Sequence, residues 1–323
     1  MEINIICNDT VTGGPECLHQ LGHALKLSGA TVFIHYHNES QSKKTREFFK
    51  NFNLTVKDNI VDSSNTFIIF PETLTKLALK YPLAHKSIFW LSIDNFFPRK
   101  GISIFHDFIG KYNIRKQRLN IKQTKNFIHL SQSYYATTFL EKHNLQSTFI
   151  GDYLNDDFFI EANKVISKNF RKKDQVCFNP AKGKSFIDFL IKEFPNIDFV
   201  PIINMSRFEV IKTLSESKMY LDLGFHPGKD RIPREAAILG ACVATSKFGS
   251  AKNDIDVAIP KNYKFDTDKK SLKKIPILIN TVFNDFKNES KKFDFYRQNI
   301  REEKADFMKN CSSFFENLSE NYK

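Results

Sequence analysis

The sequence is poor in cysteine, and its cysteines form none of the patterns that give thiols a structural role. Cys7, Cys17, Cys177, Cys242 and Cys311 are an odd number spread over 323 residues, without a CxxC pair. This spacing argues against a disulfide framework and against a cysteine-ligated zinc site. Free thiols favour a reducing compartment, so we expect the protein in the cytoplasm.

Long hydrophobic runs are also lacking. No stretch approaches the roughly 18–20 apolar residues that a membrane-spanning helix needs. The first residues, Met1–Cys7, carry no basic leader and predict a buried strand in place of a signal peptide. The composition, 41% hydrophobic and 26% charged, is that of a globular protein. The length suits about two domains.

Negative charge is in deficit: 36 Asp and Glu face 48 Lys and Arg, which gives a net charge of +12. Such a balance suits nucleic acid, an anionic membrane face or a small phosphorylated substrate. Two basic stretches, Lys111–Lys125 and Lys261–Lys274, could attract an anionic lipid surface. Because the sequence has no zinc finger, RNA-binding aromatic signature or recognition-helix pattern, we expect no nucleic-acid partner.

Short apolar runs alternate with segments of helical periodicity, which is typical of βαβ units and a parallel sheet. In the first half the predicted strands are Ile3–Cys7, Thr31–His35, Thr66–Phe70, Ser87–Ser92 and Phe127–Leu130. In the second half they are Val176–Phe178, Asp198–Ile202, Met219–Leu223 and Cys242–Thr245. The sequence therefore predicts an α/β protein with two Rossmann-like, doubly wound domains.

The same alternation suggests where the domains end. We expect an amino-terminal domain over residues 1–160 and a second domain over residues 161–285, joined by a polar linker near Asp156–Asp174. Residues 286–323 predict an amphipathic helical tail whose apolar stripe packs back on the domains. The members of this stripe, which recur at intervals of three, four or seven, are Phe286, Phe293, Tyr296, Ile300, Phe307, Cys311, Phe314 and Leu318.

The segment Asp222–Glu235 carries the strongest functional signal. It leaves the end of a predicted strand, passes through a glycine-containing loop and continues into a helix near Pro233. In open α/β sheets ligands bind outside the carboxyl ends of strands, and a helix amino end attracts phosphate. The loop adds further donors, namely His226, Lys229, Arg231 and Arg234. We therefore expect an anion site there, with Glu235 either capping the helix or binding a hydroxyl.

Three further loops follow predicted strands and reach the same kind of sheet edge. Their candidate ligand-binding residues are Lys182 and Lys184 in Asn179–Lys184, Ser250 in Ser246–Ser250, and Gly13 and Gly14 in Thr12–Glu16. No GxxxxGK[ST] pattern surrounds Lys184, which argues against ATP hydrolysis. No GxGxxG pattern follows the first strand, which argues against an NAD enzyme, and we expect no cofactor.

These motifs resemble those of bacterial GT-B glycosyltransferases, especially the family 4-like group. Thr12–Glu16 resembles that family's acceptor-side glycine loop. Arg231–Ala237 followed by Gly240 resembles its Pro-x-x-Glu-Ala region, shortened by one residue. The resemblance extends over most of Met1–Pro260. It implies two Rossmann domains that face each other across a cleft, with the nucleotide sugar mainly on the second domain and the acceptor on the first.

Carried onto this chain, the resemblance implies roles for individual residues. Glu235 would bind the nucleotide ribose, and Lys182 or Lys184 would bind the diphosphate. Gly13 and Gly14 would approach the phosphate end of the donor.

One position departs from the family pattern. The family's E-x7-E motif places its first glutamate where this chain has Pro227, which leaves open the anomeric outcome and the type of donor. The pair His226-Pro227 instead resembles the His-Pro pair of sialyl- and Kdo-transferases, whose histidine contacts the phosphate of a CMP donor.

Glycosyl transfer leaves negative charge on the departing phosphate, and His226 with its neighbouring cations would stabilise that charge without a metal. No DxD cluster lies in a suitable loop, so we expect no metal site. If the reaction inverts the anomeric centre, a base from the first domain must reach the acceptor hydroxyl. Asp94 is the candidate base, although Asp94-Asn95 equally suits a turn.

We therefore expect a glycosyltransferase that moves a sugar from a UDP-, GDP- or CMP-linked donor to a polysaccharide or glycolipid acceptor. It would work in the cytoplasm, either free or on the inner face of the membrane. The alternative is a non-catalytic module that binds a phosphorylated or nucleotide ligand in the same place.

Overall fold

The computed structural model describes residues 2–37, 42–97, 117–168 and 171–321. The chain divides into two compact units, the first made of Met1–Asp152 with Lys304–Lys323 and the second of Tyr153–Glu303. Of the basic stretch Lys111–Lys125, residues 111–116 lie outside the described ranges. Among the described residues no helix combines the length and the apolar character that crossing a membrane requires.

The first unit is an α/β structure built on one parallel sheet. Its strands are β1 (Glu2–Asn8), β2 (Thr31–His37), β3 (Thr55–Val56), β4 (Thr66–Pro71), β5 (His85–Trp90), β6 (Ile128–Ser131) and β7 (Thr148–Phe149). Its helices include α1 (Gly13–Leu27), α2 (Ser42–Phe48), α3 (Ile93–Phe96) and α4 (Tyr134–Lys142), with 3₁₀ turns at Lys50–Phe52, Glu72–Lys80 and Ile121–Thr124. The seven strands lie in the order β3-β2-β1-β4-β5-β6-β7.

The second unit repeats this architecture with a smaller parallel sheet. Its strands are β8 (Lys173–Phe178), β9 (Asp198–Pro201), β10 (Ser217–Asp222), β11 (Cys242–Ser246) and β12 (Lys264–Phe265), in the order β12-β11-β10-β8-β9. Its helices include α5 (Asp156–Ile166), α6 (Lys184–Glu193), α7 (Arg207–Glu216), α8 (Arg231–Ile238), α9 (Lys269–Leu272), α10 (Ile275–Asn284), α11 (Phe286–Lys291) and the first part of α12 (Asp294–Asn321), with 3₁₀ turns at Gly249–Lys252 and Lys261–Tyr263.

Each sheet has a point at which the direction of winding reverses. In the first sheet β1 pairs with β2 on one side and β4 on the other. In the second sheet β8 pairs with β9 on one side and β10 on the other. The carboxyl ends of the strands at such a reversal are splayed apart by their loops, which is where open α/β sheets bind ligands.

The predicted fold class, two doubly wound α/β units, is confirmed. Each predicted strand is present within three residues of its expected bounds. Three strands of two residues each were not predicted, namely β3, β7 and β12. The amphipathic α7 begins with a capping box, in which Ser206 and Glu209 exchange side-chain and backbone hydrogen bonds.

The predicted linker is wrong. Most of it forms α5, whose N-cap Asn155 accepts a hydrogen bond from the backbone N–H of Phe158 at 2.9 Å. Phe158 and Val165 are buried in the core of the second unit. Burial of this apolar face stabilises the helix although most of the segment is polar. The division between the units accordingly lies at Asp152–Tyr153, before residue 160.

The apolar stripe of the tail is buried against the protein itself. Phe293, Tyr296 and Ile300 belong to the core of the second unit. Phe314 packs edge to face on Phe67 in the first unit, with the ring centroids 6.3 Å apart. Residues from Lys304 onward are accordingly part of the first unit and not of a separate segment.

A lysine of the second unit ties together the ends of several elements. Lys172 Nζ donates to the carbonyl oxygens of Ser217 at 2.9 Å, Leu239 at 3.0 Å and Leu214 at 3.3 Å. Two of these carbonyls lie at the carboxyl ends of α7 and α8, where intrahelical donors run out. A cation is favourable at both ends because each carries the negative pole of its helix dipole.

We predict that Lys172→Met destabilises the second unit by about 2 kcal/mol, because three carbonyls lose their shared hydrogen-bond donor, whose pKa burial lowers to about 7. The neighbouring variant Lys173→Met removes an exposed ion pair with Glu216 and should cost less than about 0.5 kcal/mol. Urea unfolding of both variants tests the difference. An equal decrease in the free energy of unfolding in the two variants would contradict the role given to Lys172.

Candidate functional site

The candidate site lies in the second unit, where the turns after β8 and β10 touch. Gly183 has φ +61°, and a Cβ atom there would lie 2.7 Å from the carbonyl oxygen of Leu223. A Cβ atom on Gly224 would lie 2.6 Å from Cβ of Lys182. Contacts this close have no room for a side chain, so both positions require glycine. Lys182 is thereby held against the turn that follows β10.

Lys182 belongs to a ring of four charged side chains. Its Nζ lies 2.6 Å from Oδ2 of Asp230 and 3.9 Å from Oδ2 of Asp222. Between the same two carboxylates lies His226, with Nδ1 2.8 Å from Asp230 and Nε2 3.6 Å from Asp222. The side chains of Asp222 and His226 are each 1% exposed, whereas those of Lys182 and Asp230 are 27% and 22% exposed. The ring therefore has a buried half and an accessible half.

The electrostatics of the ring favour two cations and two anions. Burial by itself would lower the pKa of His226, but the carboxylates of Asp230 and Asp222 outweigh it and raise that pKa above its usual value. Burial would likewise raise the pKa of Asp230, but His226 and Lys182 outweigh it and lower that pKa. Alternating charges compensate one another, as buried ionic groups require.

Asp222, His226 and Asp230 also have the residue types of a metal site, and one ligand atom from each lies within 4.8 Å of the others. The two carboxylates, however, face different nitrogens of the imidazole ring. A single ion cannot use both nitrogens of one histidine, and the Lys182 ammonium already lies on Asp230. The arrangement fits an imidazolium between two carboxylates better than a metal centre.

The loops after β10 and β11 are joined by hydrogen bonds. Ser250 donates its hydroxyl to the carbonyl of Gly228 at 2.7 Å and its backbone N–H to that of His226 at 2.9 Å. Ser246 donates its hydroxyl to the carbonyl of Gly224 at 2.6 Å. Ser250 is buried, so the structure gives this predicted ligand residue a supporting role for the loop that precedes α8.

Two of the cations predicted to bind an anionic ligand instead form ion pairs with a carboxylate of the protein. Arg234 has a side chain that is only 1% exposed, and its Nη1 lies 2.7 Å from a carboxylate oxygen of Glu303. Lys229 Nζ lies 2.8 Å from the other oxygen of the same carboxylate. The expected role of Arg234 as a ligand donor does not fit this burial. The long-range partner Glu303 explains why the arginine turns inward.

Glu235 lies in α8 beyond the first turn, which holds no acidic residue, and is also paired. Its buried carboxylate accepts a hydrogen bond from Nη1 of Arg207 at 3.0 Å. The guanidinium of Arg207 is half exposed and lies over the ring of Phe158, 5.3 Å from the ring centroid. Neither of the two roles that the sequence suggested for Glu235, capping the helix or binding a hydroxyl, included this arginine.

The remaining predicted residues of this unit lie nearby but differ in environment. Lys184 is exposed and pairs with Asp188 one turn along α6, at 2.6 Å. Arg231 is the first residue of α8 and is half buried. Asp230, the N-cap residue of α8, makes no side-chain cap hydrogen bond, because its carboxylate is directed to Lys182 and His226. Sequence reasoning missed Asp222 and Asp230 as site residues.

Gly13, Gly14 and Asp94 lie in the first unit. The glycines open α1 after β1, and a Cβ atom on Gly14 would meet Leu91 at an ordinary 3.6 Å. Sterics alone therefore do not require glycine at Gly14. Asp94 lies in α3, is half buried and accepts a hydrogen bond from the hydroxyl of Tyr135 at 3.0 Å.

One carboxyl group of the first unit was not predicted. Glu72 follows β4, is fully buried and accepts a hydrogen bond from the backbone N–H of Leu91 at 3.1 Å. Burial raises the pKa of Glu72 to about 7. It links the ends of β4 and β5, beside the point where the first sheet reverses.

Neither a family model nor a curated protein sequence matches this chain. Solved structures match over nearly its whole length. HepE from Anabaena in complex with UDP-glucose is 13% identical, with a TM-score of 0.63, covering 99% of this chain and 100% of HepE. WaaG, a glycosyltransferase involved in lipopolysaccharide biosynthesis, is 11% identical, with a TM-score of 0.57, covering 95% of this chain and 98% of WaaG.

UDP-GlcNAc 2-epimerase from Neisseria meningitidis, bound to UDP-GlcNAc, is 11% identical, with a TM-score of 0.52, and covers 99% of this chain and 100% of the epimerase. At these identities the likeness shows the fold. The chain has the GT-B fold of two Rossmann-like units, as its sequence predicted. Because an epimerase shares this fold, the reaction has to be argued from the site.

The ring of charges predicts a pH-dependent stability. The stabilisation from His226 is fully present below the ordinary histidine pKa of about 6.5 and is lost as pH rises through the raised pKa of the folded protein. The unfolding free energy of His226→Asn should therefore fall furthest below that of the unchanged protein near pH 5.5–6, and the gap should shrink by about pH 8.5.

Urea unfolding across this pH range measures the gap, since the lowered pKa of Asp230 keeps that carboxylate ionised throughout. A gap for His226→Asn that is constant from pH 5.5 to pH 8.5 would show that folding leaves the pKa of His226 unchanged, which would contradict the stabilisation given to the ring.

Proposed function

We propose that this chain is a glycosyltransferase, which moves a sugar from a nucleotide-sugar donor to a glycan or lipid-linked glycan. One observation carries the proposal: Lys182 lies beside the amino end of α8, at the reversal of the second sheet. Open α/β sheets bind ligands at such a point, and helix amino ends favour phosphate. HepE and WaaG, which share the fold, support a sugar nucleotide as the ligand.

The donor phosphates would be bound by the accessible half of the ring. Lys182 is partly exposed and can exchange Asp230 for a phosphate, because Asp230 then keeps His226 as its cationic partner. Arg231, half buried at the start of α8, adds a second cation at the same helix end. A point charge on a flexible stem suits this exchange, since lysine binds phosphate without a fixed geometry.

The nucleoside end would lie toward Glu235. The resemblance assigns Glu235 to the ribose, and its carboxylate is already oriented by Arg207. Arg207 itself is half exposed and lies over the ring of Phe158, so it adds a cation to this side of the site. Gly13 and Gly14, at the start of α1, are proposed to approach the phosphate end of the donor.

The chemistry would be electrostatic and independent of a metal. As the bond to the sugar breaks, negative charge grows on the leaving phosphate, and Lys182 with the N–H groups of α8 would stabilise it. His226 is too deeply buried to contact the substrate and acts on Lys182 through Asp230. Asp94, oriented by Tyr135, is proposed as the base that takes the proton of the acceptor hydroxyl.

The acceptor is proposed to be a surface polysaccharide or a glycolipid, reached at the inner face of the membrane. WaaG, of the same fold, is involved in lipopolysaccharide biosynthesis. The basic stretch Lys261–Lys274 supports an anionic surface as a partner, because Lys261 and Lys269 are exposed. Proteins that bind membranes in this way gain about 1 kcal/mol for each lysine near the lipid surface.

We predict that Lys182→Gln weakens UDP binding by about 10- to 100-fold, the worth of one charge-assisted hydrogen bond. Uridine, which has no phosphate, should bind both proteins alike. Lys192→Gln, an exposed lysine at the end of α6, is the matched control and should leave the affinity for UDP unchanged. Calorimetry measures all three proteins.

Turnover separates the proposal from its alternatives. A glycosyltransferase releases nucleotide from a sugar nucleotide in proportion to added acceptor, and Asp94→Asn should slow that release without weakening UDP binding. A binding module releases none, and an epimerase converts the sugar while it stays attached to the nucleotide. Equal UDP affinity in Lys182→Gln and the unchanged protein would contradict the proposed donor site.

A further inference from the structure

Glu303 joins the last helix to the loop that precedes α8. It is the final residue of the second unit in α12, and its carboxylate is 9% exposed. One oxygen lies 2.7 Å from Arg234 and the other 2.8 Å from Lys229. A single carboxylate therefore neutralises two nearly buried cations, one in α8 and one in the loop before it.

Arg234 also forms hydrogen bonds with the backbone of the loop before α8. Its Nε donates to the carbonyl of Asp230 and its Nη2 to that of Lys229, both at 3.2 Å. A planar guanidinium with three fixed partners has little freedom to rotate. The backbone of Lys229 and Asp230 is consequently fixed to α12 through Arg234 and Glu303.

The fixed backbone carries the carboxylate that organises the candidate site. Asp230 is the residue that holds both Lys182 and His226, at 2.6 and 2.8 Å. A shift of its backbone by one ångström would lengthen both contacts beyond hydrogen-bond distance. The contacts therefore run from Glu303 through Arg234 to Asp230 and from there to Lys182.

We infer that Glu303 is a positioning residue, which sets the place of Lys182 for the donor phosphate through Arg234 and Asp230. The inference rests on the proposed function, since Lys182 is the proposed phosphate ligand. It assigns to the last helix a part in the nucleotide site that the sequence alone did not indicate. A purely structural Glu303 would stabilise the second unit without affecting the loop selectively.

The test compares Glu303→Gln with Glu302→Gln. Both variants remove one negative charge at neighbouring positions of α12, but Glu302 is exposed and contacts Gln298 alone among the hydrogen bonds of the described residues. Amide hydrogen exchange of the peptide covering residues 223–232 reports the loop directly. UDP affinity by calorimetry reports the site.

We expect exchange in residues 223–232 to rise at least tenfold in Glu303→Gln, with the peptides of β8 and β11 unchanged, and UDP affinity to fall at least tenfold. Glu302→Gln should match the unchanged protein in both. If Glu303→Gln does not fold, Arg234→Lys keeps the ion pair but loses the carbonyl contacts. It should then loosen the same peptide and weaken UDP binding.

Unchanged exchange in residues 223–232 would overturn the inference. A rise spread evenly over the second unit would also overturn it, because that is loss of stability alone. A loosened loop with unchanged UDP affinity would remove Glu303 from the nucleotide site. If the unchanged protein does not bind UDP, the proposed function fails instead, and the exchange data still decide whether Glu303 fixes the loop.

Discussion

The candidate site depends on the contact between two turns that only glycine permits. Gly183 and Gly224 let the chain after β8 touch the chain after β10, and each position would clash if it carried a Cβ atom. The contact brings Lys182 into reach of carboxylates that lie 40 or more positions further along the sequence. A side chain at either glycine would separate the turns, and the ring of charges would lose its lysine.

Charge compensation then decides which cations of the site remain available to a ligand. Lys229 and Arg234 form ion pairs with Glu303, and His226 is buried between Asp222 and Asp230. These buried ion pairs fix the conformation of the loop before α8. Lys182 lies at the accessible side of the ring and shares its anion with His226. An anionic ligand can therefore pair with Lys182, because Asp230 keeps His226 as its partner and no buried carboxylate is left unpaired.

The sequence reveals the fold because buried parallel strands are apolar runs that alternate with helical segments. It does not reveal β3 or β12, because two residues show no periodicity and their pairing depends on a neighbouring strand. The cation-rich loop predicted an anion site at the carboxyl edge of the second sheet, where the structure has the ring of charges around Asp230. That two of its cations face Glu303, which lies 69 positions from Arg234, follows from packing and leaves no local pattern.

A crystal structure of the protein with bound UDP tests the central claim most directly, since it shows where the diphosphate lies. The account predicts a phosphate oxygen within about 3.2 Å of Lys182 Nζ, at the amino end of α8, with Asp230 retained by His226. UDP bound elsewhere, or bound there while Lys182 stays on Asp230, would contradict it.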